Sequence, residues 1–139
     1  MTNQETFDQC VAHLRQQKVP AMEHGRCRYR TLEGKKCAAG YFIPDDQYDP
    51  VIEAMSLCTC IGERHDPGNW CFTNNKLGNL ECWKEHSPQL IYFLQEAHDT
   101  AARGTYPTET GEFLNTLERQ LAAVAKNHSL VYSEPGEAA

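Results

Sequence analysis

The sequence predicts a small single-domain α+β protein. The chain has 139 residues, the usual length of one domain with one core. Segments 2–18, 87–103 and 108–127 carry apolar residues at helical spacing, whereas segment 26–43 alternates about a central turn. We therefore expect an N-terminal helix, a β-hairpin, an irregular Cys-rich loop and two C-terminal helices packed on the hairpin. Residues 1–132 form the expected domain, and residues 133–139 a frayed tail.

The first helix is predicted from its start signal and its apolar face. Thr2 and Glu5 have the spacing of a capping box, and Val19-Pro20 ends the helical pattern. His13 lies off the apolar face and is expected to be solvated. That face consists of Phe7, Cys10, Val11 and Leu14.

The hairpin is predicted from the segment Thr31–Lys35, which suits a three-residue loop with Gly34 in the left-handed region. Side chains alternate across a strand, so this register predicts one apolar face and one basic face. A hairpin alone is marginally stable, so the apolar face should pack on the helices. The apolar face would carry Cys27, Tyr29, Cys37, Ala39, Tyr41 and Ile43, and the basic face Arg26, Arg28, Arg30 and Lys36.

The second half of the chain predicts a loop and two helices. A short helix is expected over residues 51–57, followed by an irregular stretch to residue 78 that is rich in glycine, proline and asparagine. Ser87-Pro88 is a strong helix start, and Arg103-Gly104 a stop. The inward face of this helix would carry Ile91, Leu94, His98 and Ala101. The stripe of the last helix, capped by Thr108 or Thr110, would be Phe113, Leu114, Leu117, Leu121 and Val124.

Composition excludes some classes of function. Thirteen basic and nineteen acidic residues give a net charge of −6, which disfavours general nucleic-acid binding. No apolar run is long enough to span a membrane, and the N-terminus lacks the pattern of an export signal. Seven cysteines, an odd number, are therefore expected to be reduced thiols in a cytosolic compartment.

A first candidate site is a catalytic pair of Cys37 and His98. His98 shares a helix face with Ile91 and Leu94, so its imidazole should point inward and could activate a thiol of the hairpin. Asp99 projects about 100° away on the helix and is expected to orient that ring poorly. Asp45, Asp46 or Glu53 would do so instead. The alternative is that both residues are ordinary core packing groups.

A second candidate is a zinc site in the irregular loop. The proposed ligands are Cys58, Cys60, His65 and Cys71, with Cys82 and His86 as further donors. Zinc would hold an irregular loop in shape. The spacing lacks the paired knuckles typical of structural zinc sites, so reduced, partly buried thiols are the alternative.

A third candidate is a partner-binding surface on the hairpin. Arg26, Arg28, Arg30 and Lys36 could dock on an acidic surface, next to the acidic turn containing Asp45 and Asp46. The alternative is a solvated strand face that these aspartates neutralise.

The hairpin and the later helix also resemble a known group of proteins. The matching segments are Gly25–Arg30, Lys36–Gly40, Ile43–Asp46 and Tyr48–Pro50 with Glu53, then Leu94-Gln95 and His98-Asp99. This pattern resembles uncharacterised small tailed-bacteriophage proteins that carry a CxYR…KCAxGxxIPDxxY block followed by an LQxxHD helix. The resemblance covers residues 4–102 and is weak from residue 58 to residue 86.

The resemblance implies a phage or prophage source and expression in bacterial cytoplasm. Small phage proteins often bind host proteins, including defence systems, so we expect a non-enzymatic accessory protein that binds a host protein. A cysteine-dependent enzyme using Cys37 with His98 and a zinc-stabilised binding module are the two alternatives. No cofactor is expected in the leading hypothesis.

Overall fold

The computed structural model describes residues 1–57, 59–60, 71–72, 74–103 and 110–136, with the backbone alone at residues 59, 60, 71 and 110. The predicted α+β class is confirmed. Two 3-10 turns, Pro50–Ala54 and Glu81–Glu85, connect the longer elements. The elements are α1 (Asn3–Gln17), β1 (Met22–Glu23), β2 (Arg26–Cys27), α2 (Ala38–Tyr41), β3 (Thr59–Cys60), β4 (Cys71–Phe72), α3 (Pro88–Arg103) and α4 (Thr110–Asn127). Within the described ranges, no helix is long and apolar enough to cross a membrane.

The three long helices form the larger core, as their apolar stripes predicted. The start of α1 is capped by Thr2, whose hydroxyl accepts a hydrogen bond from the Glu5 amide at 3.1 Å. Ser87 caps α3 in the same way through the Leu90 amide, at 3.4 Å. Most of the expected positions are buried in this core: Phe7, Cys10, Val11 and Leu14 of α1, Leu94 and Ala101 of α3, and Phe113, Leu117, Leu121 and Val124 of α4. Leu90 and Ala97 of α3 also belong to it, whereas Leu114 is only partly buried against it.

A second, smaller core lies beneath the irregular half of the chain. Ile91 of α3 belongs to it, whereas the other buried apolar residues of α3 belong to the helical core. Helix α3 therefore contributes to both cores, as does α2, whose Ala38 belongs to the larger core and whose Ala39 belongs to the smaller one. The members of the smaller core besides Ile91 are Ala21, Cys37, Ala39, Ile43, Ile52, Leu57, Leu77 and Trp83.

The predicted turn is confirmed, but its flanking strands are shorter than expected. The Thr31 amide donates to the Lys35 carbonyl at 2.9 Å, and Gly34 has a φ of 90°. Beyond the turn, a single antiparallel bridge joins Arg30 to Lys36. The regular two-stranded ladder is instead β1–β2, in which Met22 pairs with Cys27.

The β1–β2 ladder has its own tight turn, formed by His24 and Gly25. Both residues have positive φ angles, 53° and 78°, which is the backbone of a type I′ turn. The Arg28 amide extends the pairing by donating to the Ala21 carbonyl at 2.8 Å. The hairpin predicted over residues 26–43 thus differs from the observed one: its first strand contains β2, which pairs with β1 rather than with residues after the Thr31–Lys35 turn.

The prediction of a strand over residues 37–43 is wrong, because residues 38–41 form helix α2. Adjacent side chains on a helix point about 100° apart rather than alternating. Ala39 and Ile43 are still buried, but Tyr41 is 37% exposed and stacks on His13 with ring centroids 4.5 Å apart. The expectation that His13 is solvated is wrong: the residue is half-buried, and its Nε2 donates a hydrogen bond to the Lys36 carbonyl oxygen at 2.9 Å.

The C-terminal segment returns to α1. The side-chain amide of Gln4 bonds both backbone groups of Val131, at 2.8 and 3.0 Å, and Arg15 donates to the Ser133 carbonyl at 2.7 Å. The backbone is therefore held one residue beyond the predicted domain boundary, and the following described residues, 134–136, are exposed.

Candidate functional site

The arm of the structure that carries the predicted binding residues, residues 22–36, is fixed in place by a buried carboxylate. Glu53 accepts hydrogen bonds from the Tyr29 and Arg30 amides, both at 3.0 Å, and from the Tyr48 hydroxyl at 2.7 Å. The Glu53 side chain is only 8% exposed. Burial and the bond to Glu53 raise the pKa of Tyr48 to about 12, so its hydroxyl remains a donor at neutral pH. Glu53 thus attaches this hairpin arm to the 3-10 turn Pro50–Ala54.

Two of the four predicted basic residues are engaged inside the molecule. Arg30 lies 2.9 Å from the Asp45 carboxylate, donates to the Ile43 carbonyl at 3.2 Å, and packs 4.3 Å from the centroid of the Tyr48 ring. The Nε of Arg28 lies 3.4 and 3.5 Å from carboxylate oxygens of Glu23 and Glu53. Their charges are therefore balanced by the protein's own acidic groups.

The other two basic residues remain uncommitted. Among the described residues, no ion pair or side-chain hydrogen bond engages the Arg26 guanidinium or the Lys36 ammonium group. Arg26 is exposed, and Lys36 is half-buried with its backbone held by Gln17. The two predicted acidic residues are both exposed. The Asp45 side chain, at 89% exposure, pairs with Arg30. The predicted surface is thus smaller than the sequence suggested.

The turn at the end of the arm carries a residue that the sequence analysis missed. The side chain of Leu32 is 94% exposed, whereas its backbone amide donates to Glu23 Oε2 at 2.8 Å. The backbone amide of Lys35 donates to the Thr31 hydroxyl, and that of Gly34 donates to the Thr31 carbonyl, both at 3.0 Å. A leucine in a turn, where polar residues predominate, was the available signal.

Cys37 is a structural residue in this geometry. Its side chain is fully buried, and its Sγ accepts a hydrogen bond from the Gly40 amide at 3.3 Å, which caps helix α2. Burial raises the pKa of the Cys37 thiol well above its ordinary value. A protonated thiol is a poor nucleophile, so the arrangement favours packing over catalysis.

Both ring nitrogens of His98 are also engaged. The Ala21 amide donates to Nε2 at 3.1 Å, so Nδ1 carries the proton and donates to Asp99 Oδ1 at 2.9 Å. The expectation that Asp99 is poorly placed for this ring is therefore wrong. The two side chains leave the helix in different directions, but the near edge of the imidazole reaches the short carboxylate beside it.

Asp99 is the centre of a small network of hydrogen bonds. Gln95 donates to Asp99 Oδ1 at 2.8 Å and accepts from the Ala39 amide at 2.8 Å. Through these bonds, α3 holds both α2 and the segment that leads into β1. The function of the predicted LQxxHD segment in this structure is therefore to join elements that are distant in the sequence.

Cys27 is the thiol grouped with His98 and Asp99. One donor atom from each of the three residues lies within 4.8 Å of the others, a spacing that a metal ion could bridge. However, a metal on Nδ1 would displace its proton while Nε2 still accepts from the Ala21 amide, which requires an imidazolate ring. Burial and the neighbouring Asp99 raise the pKa of Cys27 to about 12. The cluster favours protons over a metal ion.

A polar cavity of about 380 Å³ separates the hairpin arm from α3. Arg28 and Glu53 line one side, and Tyr92, Glu96 and Asp99 line the other. The Glu53 oxygens already accept three hydrogen bonds, and Asp99 is held by its network. Much of the polar lining is thus already engaged in hydrogen bonds within the protein.

Two of the four predicted zinc ligands lie outside the described part of the structure. Cys58 and His65 are outside the described residues. The register of β3–β4 places Cys60 directly opposite Cys71. Among the further donors, His86 shares a 2.8 Å hydrogen bond with the Thr6 hydroxyl through Nδ1, and burial raises the pKa of Cys82 to about 12.

Comparison of the chain with protein families, with curated proteins and with solved structures gives no match. The resemblance to phage proteins therefore rests on the sequence motifs alone.

Proposed function

We propose that this protein is a non-enzymatic binding module, a phage-encoded accessory protein that binds a host protein in the bacterial cytoplasm. The observation that supports it most is the hairpin arm, which is fixed by Glu53 and carries the uncommitted cations Arg26 and Lys36. A host partner with an acidic surface would complement these two charges.

The rigidity of the arm favours binding. Association normally costs free energy because flexible groups at the interface become ordered. In this arm the backbone amides of Tyr29, Arg30 and Leu32 are already bonded to buried or half-buried carboxylates. Little further ordering of the backbone is needed when a partner docks.

The enzymatic alternative has less support. The described thiols of Cys10, Cys27 and Cys82 have pKa values raised to about 12 by burial, and that of Cys37 is raised as well. A nucleophilic cysteine needs the opposite shift. His98, the proposed base, is occupied at both nitrogens.

The proposal is tested by reversing the two uncommitted charges. We expect the Arg26→Glu, Lys36→Glu double variant to fold normally, because exposed or weakly paired charges contribute little to stability. It should bind a captured host partner at least about tenfold more weakly, since like charges across an interface repel. Affinity of the wild type should also fall as salt rises from about 50 to about 300 mM.

The matched control reverses two cations on other surfaces, Lys84→Glu with Arg119→Glu. Within the described part of the chain, Lys84 forms an exposed pair with Glu81, and Arg119 makes a 3.4 Å contact with the Thr116 hydroxyl. Each substitution replaces a positive charge with a negative one and so lowers the net charge by two units, which makes both double variants more negative by the same amount. Equal loss of affinity in both would contradict a specific role of the arm. Unchanged affinity in the Arg26, Lys36 variant would contradict the proposal itself.

A zinc-stabilised module is a second candidate, because the register places two of its four predicted ligands opposite each other. Directly opposed residues are immediate neighbours across the two strands, and cysteine thiolates are common zinc ligands. We expect bound zinc in wild-type protein purified without chelator and its loss in Cys60→Ser and Cys71→Ser, with Cys10→Ala as the control. Metal-free wild-type protein after purification with added zinc would refute this candidate.

A further inference from the structure

We propose that Leu32 is the anchor residue of the binding surface and that it enters an apolar pocket on the host protein, with carboxylates at the rim of that pocket. This inference rests on the proposed function and specifies the chemistry of its partner. It is carried by the exposure of Leu32, the rigidity of its turn and the charges beside it.

The exposure of Leu32 matters because the turn is fixed. Single exposed leucines are common on protein surfaces and need no explanation by themselves. A mobile leucine, however, can fold back over neighbouring apolar surface. Leu32 is 94% exposed although its own amide is bonded to Glu23, at 2.8 Å. Its side chain thus lies in solvent on a backbone that is hydrogen-bonded in place.

The turn around Leu32 has few degrees of freedom left. Thr31 is 5% exposed, and its backbone and hydroxyl bind the amides of Gly34 and Lys35. The Thr31 amide in turn donates to the Lys35 carbonyl at 2.9 Å. An apolar group on a backbone that is already ordered loses little further conformational freedom when it enters a partner's pocket.

The charges near the turn indicate the rim of the partner pocket. Lys35 is neutralised by Glu33, 2.6 Å away, and the Glu23 carboxylate is engaged by Arg28 and by the Leu32 amide. Arg26 is the cross-strand partner of Glu23, and Lys36 follows the turn directly. The uncommitted charges around Leu32 are therefore positive, and an apolar pocket rimmed by carboxylates complements them.

The first experiment places a photo-crosslinking amino acid, p-benzoylphenylalanine, at position 32 and, as a control, at position 131. Val131 is also an exposed aliphatic residue, at 70%, but it lies on the C-terminal segment. We expect irradiation in a host lysate to join one defined protein to position 32 and not to position 131. Excess wild-type protein should suppress that adduct, and Leu32→Ser should do so much less effectively.

The second experiment measures affinity for the purified protein identified in the adduct. We expect Leu32→Ser to bind about 10- to 100-fold more weakly, the loss expected for exposing a leucine that is buried in a complex. Val131→Ser should bind like the wild type. Both variants should keep the wild-type unfolding midpoint, because both side chains are exposed.

The outcomes separate this inference from the proposed function. If position 32 gives no adduct, or if Leu32→Ser competes as well as the wild type, the anchor role is wrong. The proposed binding function would still stand if reversal of the Arg26 and Lys36 charges weakened the binding of a host partner. If no variant or wild-type protein captures a partner from the host, both ideas fail.

Discussion

Removal of the Glu53 carboxylate tests whether this residue holds the hairpin arm in place. Glu53→Ala takes away the acceptor of two backbone amides, those of Tyr29 and Arg30, and of the Tyr48 hydroxyl. A buried donor left without its acceptor costs about 1–3 kcal/mol. Tyr29, Arg30 and Tyr48 are only half-buried, so water can reach some of these groups. We therefore take the lower part of that range for each and expect a total loss of about 3–5 kcal/mol.

A loss of this size is a large share of the stability of a small domain, which is typically about 5–15 kcal/mol. It is measured by urea denaturation monitored by circular dichroism. Glu53→Gln keeps one carbonyl oxygen but turns an N–H toward a donor, so we expect an intermediate loss. Glu33→Ala is the matched control: this carboxylate is 76% exposed and pairs with the equally local Lys35, so its removal should change stability by less than about 0.5 kcal/mol.

Hydrogen exchange gives a local measurement that global stability does not. In Glu53→Ala, the amides of Tyr29 and Arg30 should exchange faster relative to the amides of α4 than they do in the wild type. A stability loss below about 1 kcal/mol, with unchanged relative exchange at these amides, would refute the assigned role of Glu53. The fixed arm on which the binding proposal depends would then need another origin.

Three further predictions concern packing and thiol chemistry. Gly40→Ala should destabilise the fold by at least about 1–3 kcal/mol in thermal or urea unfolding, because a Cβ there would overlap the Tyr29 carbonyl. Gly111→Ala, with open space around it in helix α4, should be neutral or stabilising, and equal effects of the two substitutions would contradict the close approach of Gly40 to Tyr29. Stability should fall as pH rises above about 9, by up to about 1.4 kcal/mol per pH unit for each buried thiol. The reason is that the Cys10 thiol, with its pKa raised to about 12, keeps its proton in the folded chain at a pH where the unfolded chain has lost it. Cys10→Ala should therefore flatten the dependence of the unfolding free energy on pH, measured between pH 8 and 10. Cys27 should react with iodoacetamide much more slowly than a free thiol at pH 7.5, as followed by mass spectrometry of its peptide, and fast alkylation would show an activated thiolate that this structure does not contain.

The features that the sequence determined by itself are those that depend on neighbours along the chain. The stripe from Phe113 to Val124 recurs at helical spacing, the Thr2 hydroxyl caps the amide of Glu5, and Gly34 supplies the left-handed residue of its turn. Each signal involves residues a few positions apart, so hydrophobic periodicity and capping chemistry are sufficient to predict it.

The segment after the turn shows where local patterns are insufficient. Cys37, Ala39 and Ile43 are buried, as a strand would predict, yet the chain there forms helix α2. In a segment this short, the same apolar positions suit a strand and a helical turn equally well. The choice depends on contacts made across the fold, among them the Gln95 side chain that accepts from the Ala39 amide and the close approach of Gly40 to Tyr29.

Tertiary structure alone decided which polar residues are free to bind. Arg26, Arg28, Arg30 and Lys36 are equivalent in the sequence, but only in the folded chain do Glu23, Glu53 and Asp45 engage the middle two. The same holds for His98, whose nitrogens are taken by Ala21 and Asp99. The chemistry of an ionisable side chain depends on its nearest charges and on its burial, and both are set by residues that are distant along the chain.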